Sequence, residues 1–415
     1  MALGHLFVIK ENIMSTIYYN ASIFDGKNAE ITRDAWFEVT DSRIAQIGTG
    51  KPSKKADKNI DLKGKYVTPG LINAHTHMMM NPVTNKLEYL SETEATATAI
   101  QNLRDLLESG VTYIRDCGCA FNTDIKLRDF AKDHDLEAPG IIASGRPMSM
   151  TGGHGDFKEG TNGEIDWSYL TDSPDEMRKS VRTALKIGAD NIKVMATGGV
   201  MSAGDNIDDT ALTPAEMRVA VEEAHHKGKK VAAHAQGNSG IQNALDAGVD
   251  SIEHGIYVDE KQADYMVKNN VYLVPTLNAS ASISKYGRDK LPSYMIRKND
   301  QVKSDFFKNV SMAFKKGVKV IVGTDAGTPF NSFKTGTWEE MQLLVNEIGA
   351  TPTQALLSAT QYAADLIGIS DNYGTLEPGK FADFLVLDQD PTQSIDAITQ
   401  DNKLVFQHGK QINRR

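Results

Sequence analysis

Residues 70–80 read GLINAHTHMMM, an apolar run that ends in two histidines one residue apart. In a β-strand, residues i and i+2 point to the same face, so His75 and His77 would project side by side from a strand end. Two imidazoles placed in this way can bind one metal ion. A single His-x-His pair is a weak signal, so the interpretation depends on what the rest of the chain brings to the same place.

The chain downstream of this segment alternates short apolar runs with helical segments. Eight such runs are present: TPGLINAHTH, VTYIRDCG, GIIASG, NIKVMAT, KVAAHA, SIEHG, YLVPTL and KVIVGTDAG. Between them lie helical patterns in which Thr213 with Glu216, and Thr351 with Gln354, would form capping boxes. Strands that alternate with helices in this number predict an α/β fold, a (β/α)8 TIM barrel over residues 68–369.

Both ends of the chain consist instead of short β-rich segments separated by Gly and Asp-Gly turns. Residues 1–67 and 370–415 therefore predict one small β-sandwich domain that is built from both chain ends. Met14 is a candidate natural start, which would make residues 1–13 an extension.

The composition narrows the class of protein. Apolar residues make up 40% and charged residues 24% of the chain, as is ordinary for a soluble enzyme. A net charge of −9 argues against a nucleic-acid partner, which usually leaves a basic footprint. Two cysteines exclude a disulfide framework. No apolar run reaches the roughly 18 residues of a membrane span, and the first residues do not resemble a signal peptide, so a cytoplasmic protein without a membrane partner is expected.

Chemistry-bearing side chains follow the apolar runs at matching strand ends. In a TIM barrel the C-terminal strand ends form one rim, which carries the active site. The residues at this rim are His75 and His77 on the first predicted strand, Lys193 on the fourth, His234 on the fifth, His254 on the sixth and Asp325 on the eighth. Any one of them alone would be an ordinary packed, capping or solvent-facing residue. Their joint placement favours a metal centre, because imidazole and carboxylate suit Zn²⁺ and similar ions.

Lys193 needs a separate explanation, since an ordinary lysine would be a cation beside cations. A lysine carboxylated by carbon dioxide instead supplies two anionic oxygens on a long stem. The set therefore predicts two divalent ions, with Zn²⁺ favoured, bridged by N6-carboxylated Lys193. Two such ions would acidify a bridging water near neutral pH. Asp325 would hold that hydroxide, take its proton and pass it to the leaving group.

The ordered set His-x-His, Lys, His, His, Asp, together with the closing segment GTLEPGKFADFLVLD, resembles the amidohydrolase superfamily over nearly the whole chain. The resemblance implies that one ion is bound by His75, His77, Lys193 and Asp325. It implies that the second ion is bound by Lys193, His234 and His254. Members of this superfamily often form larger assemblies, so a homo-oligomer is among the expectations, although no interface is legible in the sequence.

Within the superfamily, SGRPMSMTGGHGD, ATGGVMS and EHGIYVD are similar to the branch of Xaa-Pro dipeptidase-like and imidazolonepropionase-like sequences. This similarity implies that His154 and Tyr257 lie near the substrate, with His154 meeting its carboxylate or carbonyl, and that Arg146 is a further carboxylate partner. Each also has a structural interpretation: His154 as a residue that fixes its loop, Tyr257 as rim packing and Arg146 as a hydrogen-bond donor within the fold.

The expected activity is hydrolysis of a small amide, above all a dipeptide, by attack of a metal-bridging hydroxide on the carbonyl, as in an Xaa-Pro or related dipeptidase or carboxypeptidase. The alternative is a non-peptide substrate: a cyclic amide such as imidazolonepropionate, an N-acyl amino acid, a carbamate or a lactone. A deaminase is disfavoured because Lys193 is present and no glutamate follows His234 closely. A catalytically inactive binding protein would be expected to have lost metal ligands, and none is lost.

Overall fold

A computed structural model describes residues 14–53, 55–83, 91–156 and 167–413. The predicted extension over residues 1–13 lies outside this range. The strands are β1 Ser15–Ile23, β2 Thr32–Thr40, β3 Arg43–Thr49, β4 Lys58–Asp61, β5 Tyr66–Pro69, β6 Leu71–Thr76, β7 Val111–Asp116, β8 Gly140–Ile142, β9 Met148–Ser149, β10 Tyr169–Leu170, β11 Asn191–Met195, β12 Lys230–Ala235, β13 Ser251–His254, β14 Tyr272–Val274, β15 Phe384–Leu387, β16 Leu404–Gln407 and β17 Lys410–Gln411.

The α-helices alternate with the central strands. They are α1 Glu92–Ser109, α2 Thr123–Asp133, α3 Pro174–Ile187, α4 Pro214–His225, α5 Asn238–Ala247, α6 Glu260–Asn269, α7 Leu277–Tyr286, α8 Ser293–Lys315, α9 Gly336–Leu343, α10 Pro352–Ser358 and α11 Gln361–Ile367. Short 3₁₀ turns cover Ala120–Asn122 and Ile395–Thr399, and a π-helical turn covers Leu344–Ile348. The two predicted capping boxes, at the starts of α4 and α10, are confirmed.

Strands from both chain ends share one eight-stranded sheet, in which β15 from the C-terminal part runs antiparallel to β5 from the N-terminal part. Its core contains an aromatic cluster in which the ring of Tyr18 lies 5.0 Å from that of Phe37 and 5.2 Å from that of Phe384. The strand pairing joins these strands into a single sheet. The predicted β-sandwich stays a prediction.

The central part is a TIM-barrel-like α/β domain. β6, β7 and β8 form one parallel sheet, and β9 to β14 form another, with neighbouring strands running parallel. The predicted eighth strand is not a regular strand in the structure: it makes isolated bridges at Val320 and Ala326. Between these bridges residues 321–325 form no strand, and Asp325 adopts a left-handed backbone with φ of 61°.

The irregular eighth segment still connects the two sheets. Ile321 donates a backbone hydrogen bond of 2.8 Å to Leu273 of β14, and Ala74 of β6 donates one of 2.9 Å to Val322. These bonds place the end of this segment beside the end of β6, and so place Asp325 beside the histidine pair.

Within the part of the chain that the structure describes, none of the helices combines the length and the apolar character of a membrane span.

Candidate active site

His75, His77 and Asp325 form a compact, buried group of ligand atoms. The Oδ1 atom of Asp325 lies 3.1 Å from Nε2 of His77 and 3.4 Å from Nε2 of His75. All three side chains present ligand atoms within 4.8 Å of one another. The position of Asp325 is set by its backbone, because its amide donates a 2.8 Å hydrogen bond to the carbonyl of His75. Two imidazoles and a carboxylate at these distances fit a divalent metal ion.

Three of the candidate ligand histidines have a hydrogen-bond partner at Nδ1. Nδ1 of His75 lies 2.6 Å from Glu253, Nδ1 of His77 lies 2.9 Å from the carbonyl of Gly118, and Nδ1 of His254 lies 2.7 Å from the hydroxyl of Thr276. When Nδ1–H donates to such a partner, the lone pair of Nε2 is directed to the metal, which is the arrangement common in metalloproteins.

A buried ion pair stands behind His75. Arg115 donates a 2.8 Å hydrogen bond to Glu253, and Ser251 donates to the same carboxylate oxygen. Burial raises the pKa of the Glu253 carboxyl. The Arg115 guanidinium and the hydrogen bond from His75 lower this pKa by a larger amount, so the net pKa lies below the usual range. The carboxylate therefore stays ionised and holds the His75 ring. No role was predicted from the sequence for Arg115 or Glu253. A signal was available, because each is a charged residue inside a mostly apolar strand, VTYIRD or SIEH.

Lys193 of β11 reaches the same centre from the opposite side. Its side chain is buried at 1% exposure, and its Nζ lies 3.4 Å from Nε2 of His75. Among the described residues, no carboxylate lies within ion-pair distance of this Nζ. An ammonium group buried without a counter-ion is costly, and its neighbours are ligands that would face cations. Conversion of this amine to an anionic carbamate would remove both conflicts, so the residues present fit the predicted bridging group.

His234 and His254 lie on the neighbouring strands β12 and β13, with their ring centroids 4.7 Å apart. Burial is the largest cause that holds the pKa of each imidazole well below its ordinary value, so both rings are neutral and able to bind metal. Nε2 of His234 contacts the carbonyl of Gly198 at 3.0 Å, which leaves Nδ1 as its ligand atom. These two histidines are not part of the compact three-ligand group, so a second ion would need the oxygens of a modified Lys193.

A cavity of about 240 Å³ opens over these residues. Its walls include His77, Lys193, His234, His254 and Asp325 from the centre itself. They also include larger side chains that were not predicted to line a pocket: Trp167, Met195, Tyr294 and Met295. Because a strand-end motif does not show which loop residues point inward, these wall residues depend on tertiary packing.

His154 lines the cavity and is held firmly in place. Its ring stacks on that of His234 with centroids 4.3 Å apart, and its Nδ1 lies 2.8 Å from the hydroxyl of Ser202. Ser202 donates in turn to Asp205, whose carboxylate lies 3.7 Å from Nδ1 of His154. A Cβ at Gly199 would lie 2.5 Å from the His154 ring, so glycine is required there for this close approach.

The other two predicted substrate residues lie elsewhere on the rim. The guanidinium of Arg146 lies 4.0 Å from the ring centroid of Tyr169 and donates a 2.7 Å hydrogen bond to the carbonyl of Ser168. The backbone amide of Tyr257 donates to the carbonyl of Gln236, and burial raises the pKa of its phenol. Neither side chain is among the cavity walls. The contacts of Arg146 match its interpretation as a hydrogen-bond donor within the fold, and a role of either residue in substrate binding stays a prediction.

Comparison with known proteins identifies the class that this fold and site define. Residues 66–412 match the amidohydrolase family, and the chain belongs to this family. Members of the family generally use divalent metal ions. Among curated relatives, the chain is 29% identical to ochratoxinase of Aspergillus niger over 419 residues, which cover 92% of this chain and 82% of that protein.

Solved structures narrow the resemblance. A Xaa-Pro dipeptidase with methionine bound in its active site has a TM-score of 0.89 and 30% identity, with 96% of this chain and 100% of that chain covered. A prolidase complexed with N-methylphosphonate-L-proline has a TM-score of 0.88 and 28% identity, with 97% of this chain and 100% of that chain covered. The predicted similarity to Xaa-Pro dipeptidase-like amidohydrolases is therefore confirmed, and such relatives hydrolyse amide bonds.

Proposed function

We propose that the protein is a binuclear metal-dependent hydrolase of dipeptides, of the Xaa-Pro or a related type. The observation that supports this most strongly is the group of His75, His77 and Asp325 beside the buried Lys193 at the wall of a 240 Å³ cavity. We assign one ion to His75, His77, Lys193 and Asp325, and the other to Lys193, His234 and His254. We further propose Zn²⁺ as the metal and N6-carboxylation of Lys193.

The bound ions would polarise the substrate carbonyl and lower the pKa of an attacking water. The protein residues do the remaining work. Asp325 accepts the proton of the water and delivers it to the nitrogen of the departing amine. Glu253 holds the His75 ring in its ligating orientation. His154, fixed through Ser202, would contact the substrate's carboxylate or carbonyl oxygen.

We also propose that residues 68–369 form a closed (β/α)8 barrel. Residues 1–67 and 370–415 would together form a terminal domain arranged as a β-sandwich. A cytoplasmic location and assembly into a homo-oligomer also stay predictions.

A second candidate function is hydrolysis of a non-peptide amide such as an N-acyl amino acid, and the similarity to ochratoxinase favours it. The two functions differ in the substrate and share the metal centre.

A panel of dipeptides, N-acyl amino acids and lactones, supplied with Zn²⁺ and bicarbonate, distinguishes the two functions. We expect amine release from dipeptides to be fastest, and two equivalents of metal by elemental analysis. A plateau at one equivalent would contradict the binuclear centre, and selective cleavage of N-acyl amino acids would support the second candidate.

Replacing His154 with alanine should keep both ions and the fold, because the proposed ligands lie elsewhere. We expect kcat/KM on free dipeptides to fall by an amount equivalent to about 1–3 kcal/mol, the scale of one charged hydrogen bond. The measurement is steady-state kinetics alongside metal analysis. His226, exposed at the end of α4, provides a matched control, and His226→Ala should leave the kinetics as in the parent.

The substrate distinguishes what His154 contacts. If it contacts only the substrate's carboxylate, a dipeptide amide should be a poor substrate of the parent enzyme and lose little further in the variant. If it contacts the carbonyl, both substrates should lose alike. Unchanged kinetics on every substrate, with metal retained, would leave His154 as a residue that only fixes its loop.

A further inference from the structure

A side pocket of about 40 Å³ opens beside the main cavity, between His254 and the helices α7 and α8. Gln236, His254 and Asp325 line both spaces, so the side pocket adjoins the candidate metal centre directly. One water molecule needs roughly 10–15 Å³ on the same scale. The pocket therefore has room for a few non-hydrogen atoms, the size of a short amino-acid side chain.

Most of the side-pocket wall is apolar. Val200, Ile256, Ile283, Val302 and Phe306 contribute to it from four separate segments of the chain, the last two from α8. Such a wall favours an aliphatic stem. No lysine or arginine lines the pocket, so a ligand carboxylate would find no counter-ion there.

Seven polar residues interrupt this apolar wall, and three of them are of interest here: Gln236, Ser280 and Asn299. Each is buried, Asn299 at 1% exposure, and each has one oxygen that makes no hydrogen bond within the described part of the chain. These oxygens are Oε1 of Gln236, Oγ of Ser280 and Oδ1 of Asn299. Nδ2 of Asn299 donates to the hydroxyl of Ser284 at 2.9 Å and to the carbonyl of Ser280 at 3.3 Å, which fixes the amide plane.

Buried polar atoms in proteins are almost always paired, and unpaired ones call for an explanation. Here three unpaired oxygens belong to residues that line one small pocket. The amide oxygens of Gln236 and Asn299 can only accept a hydrogen bond, whereas the Ser280 hydroxyl can accept or donate. The partner that the two amide oxygens lack is therefore a donor. A cationic donor would need a buried counter-charge. The only carboxylate among the lining residues belongs to Asp325, which already contacts His75 and His77.

We propose that the side pocket is a substrate subsite for a short, neutral side chain that carries a hydrogen-bond donor, a hydroxyl or a primary amide, next to the scissile bond. The proposal rests on the amidohydrolase function proposed above, because it places this side chain beside the reacting amide. Ser280 and Asn299 are the specificity-determining residues, and the apolar wall contacts the stem of the side chain.

Binding of matched amino acids, the products of dipeptide cleavage, tests the proposal without relying on turnover. Titration calorimetry of the metal-loaded protein compares L-threonine with its isostere L-valine, and L-asparagine with L-leucine. We expect the member of at least one pair that carries the donor to bind about tenfold more tightly, because its apolar isostere leaves the pocket oxygens unpaired. Equal affinities in both pairs, tighter binding of the apolar members, or no binding of any of the four would overturn the subsite, the pocket then holding water alone.

Two variants sharpen the test. Ser280→Ala removes one acceptor, suits the helix and should reduce the preference for the donor-bearing member to near parity; Asn299→Leu should do the same. Ser282→Ala lies on the same helix outside the pocket and should retain the preference. A preference that survives both pocket variants would also overturn the proposal. If threonine is preferred but no dipeptide is hydrolysed, the proposed function fails while the subsite stands. If dipeptides are hydrolysed without this binding preference, the subsite alone fails.

Discussion

Asp325→Asn is expected to lower kcat by about 10²–10⁴-fold, the usual contribution of a positioned general acid–base group. Asparagine keeps an oxygen at the position where Oδ1 of Asp325 lies 3.1 Å from His77 and 3.4 Å from His75. Its amide, however, cannot accept a proton from water at neutral pH. Burial raises the pKa of the Asp325 carboxyl, but the interactions with the His75 and His77 imidazoles outweigh this effect and hold the pKa well below its usual range, so the parent residue is an ionised base.

The measurement is kcat at saturating dipeptide and saturating Zn²⁺, with the metal content determined on the same preparation. This design separates loss of the proton acceptor from loss of a ligand charge. Asp371, an exposed residue outside the cavity, supplies the matched control, and Asp371→Asn should have the parent kcat. A loss of less than tenfold, with both ions bound, would move the proton-transfer role to another residue.

The candidate metal ligands could be proposed from the sequence because their chemistry and their position in the chain coincide. Imidazole, amine and carboxylate groups at the ends of apolar runs leave few alternatives once a parallel strand order is assumed. His75, Lys193 and His254 accordingly lie within β6, β11 and β13. The run containing Asp325 was predicted as a regular strand, whereas residues 321–325 form no strand and Asp325 has a left-handed backbone. A sequence pattern of period two carries no information about that single dihedral angle.

The pocket walls illustrate the opposite case. Ser280 and Asn299 lie on α7 and α8, where serine and asparagine are common surface residues, and nothing in their local sequence distinguishes them. Their burial and their unpaired oxygens arise only when the two helices pack beside His254. Arg115 and Glu253 fall between these cases. A charged residue in a buried strand must be paired, so their pairing was predictable, whereas the fact that the pair supports His75 was not.

Lys193→Ala is expected to remove the second ion and to lower activity about 100-fold or more, since loss of a bridging ligand should exceed the 10–100-fold effect of losing an outer-shell partner. In the proposed modification, the neutral Nζ attacks the carbon of carbon dioxide, an N–C bond forms while one C=O π bond opens onto its oxygen, a proton leaves the nitrogen for solvent, and the side chain becomes anionic. That change explains how a lysine buried 3.4 Å from Nε2 of His75 can share a centre with cations. Alanine leaves a space in which a small carboxylate can take the place of the carbamate.

Chemical rescue therefore identifies the state of the lysine. Acetate or propionate should restore part of the activity and the second equivalent of metal in Lys193→Ala, because each supplies two oxygens to the empty position. Propylamine, which imitates an unmodified lysine, should restore neither, and Lys186→Ala, an exposed substitution on α3, should need no rescue. Rescue by the amine instead of the carboxylate would show that Lys193 acts as a free amine. Full activity with two ions in the unrescued variant would exclude Lys193 from the centre, and the anion between the ions would then have to come from water or substrate.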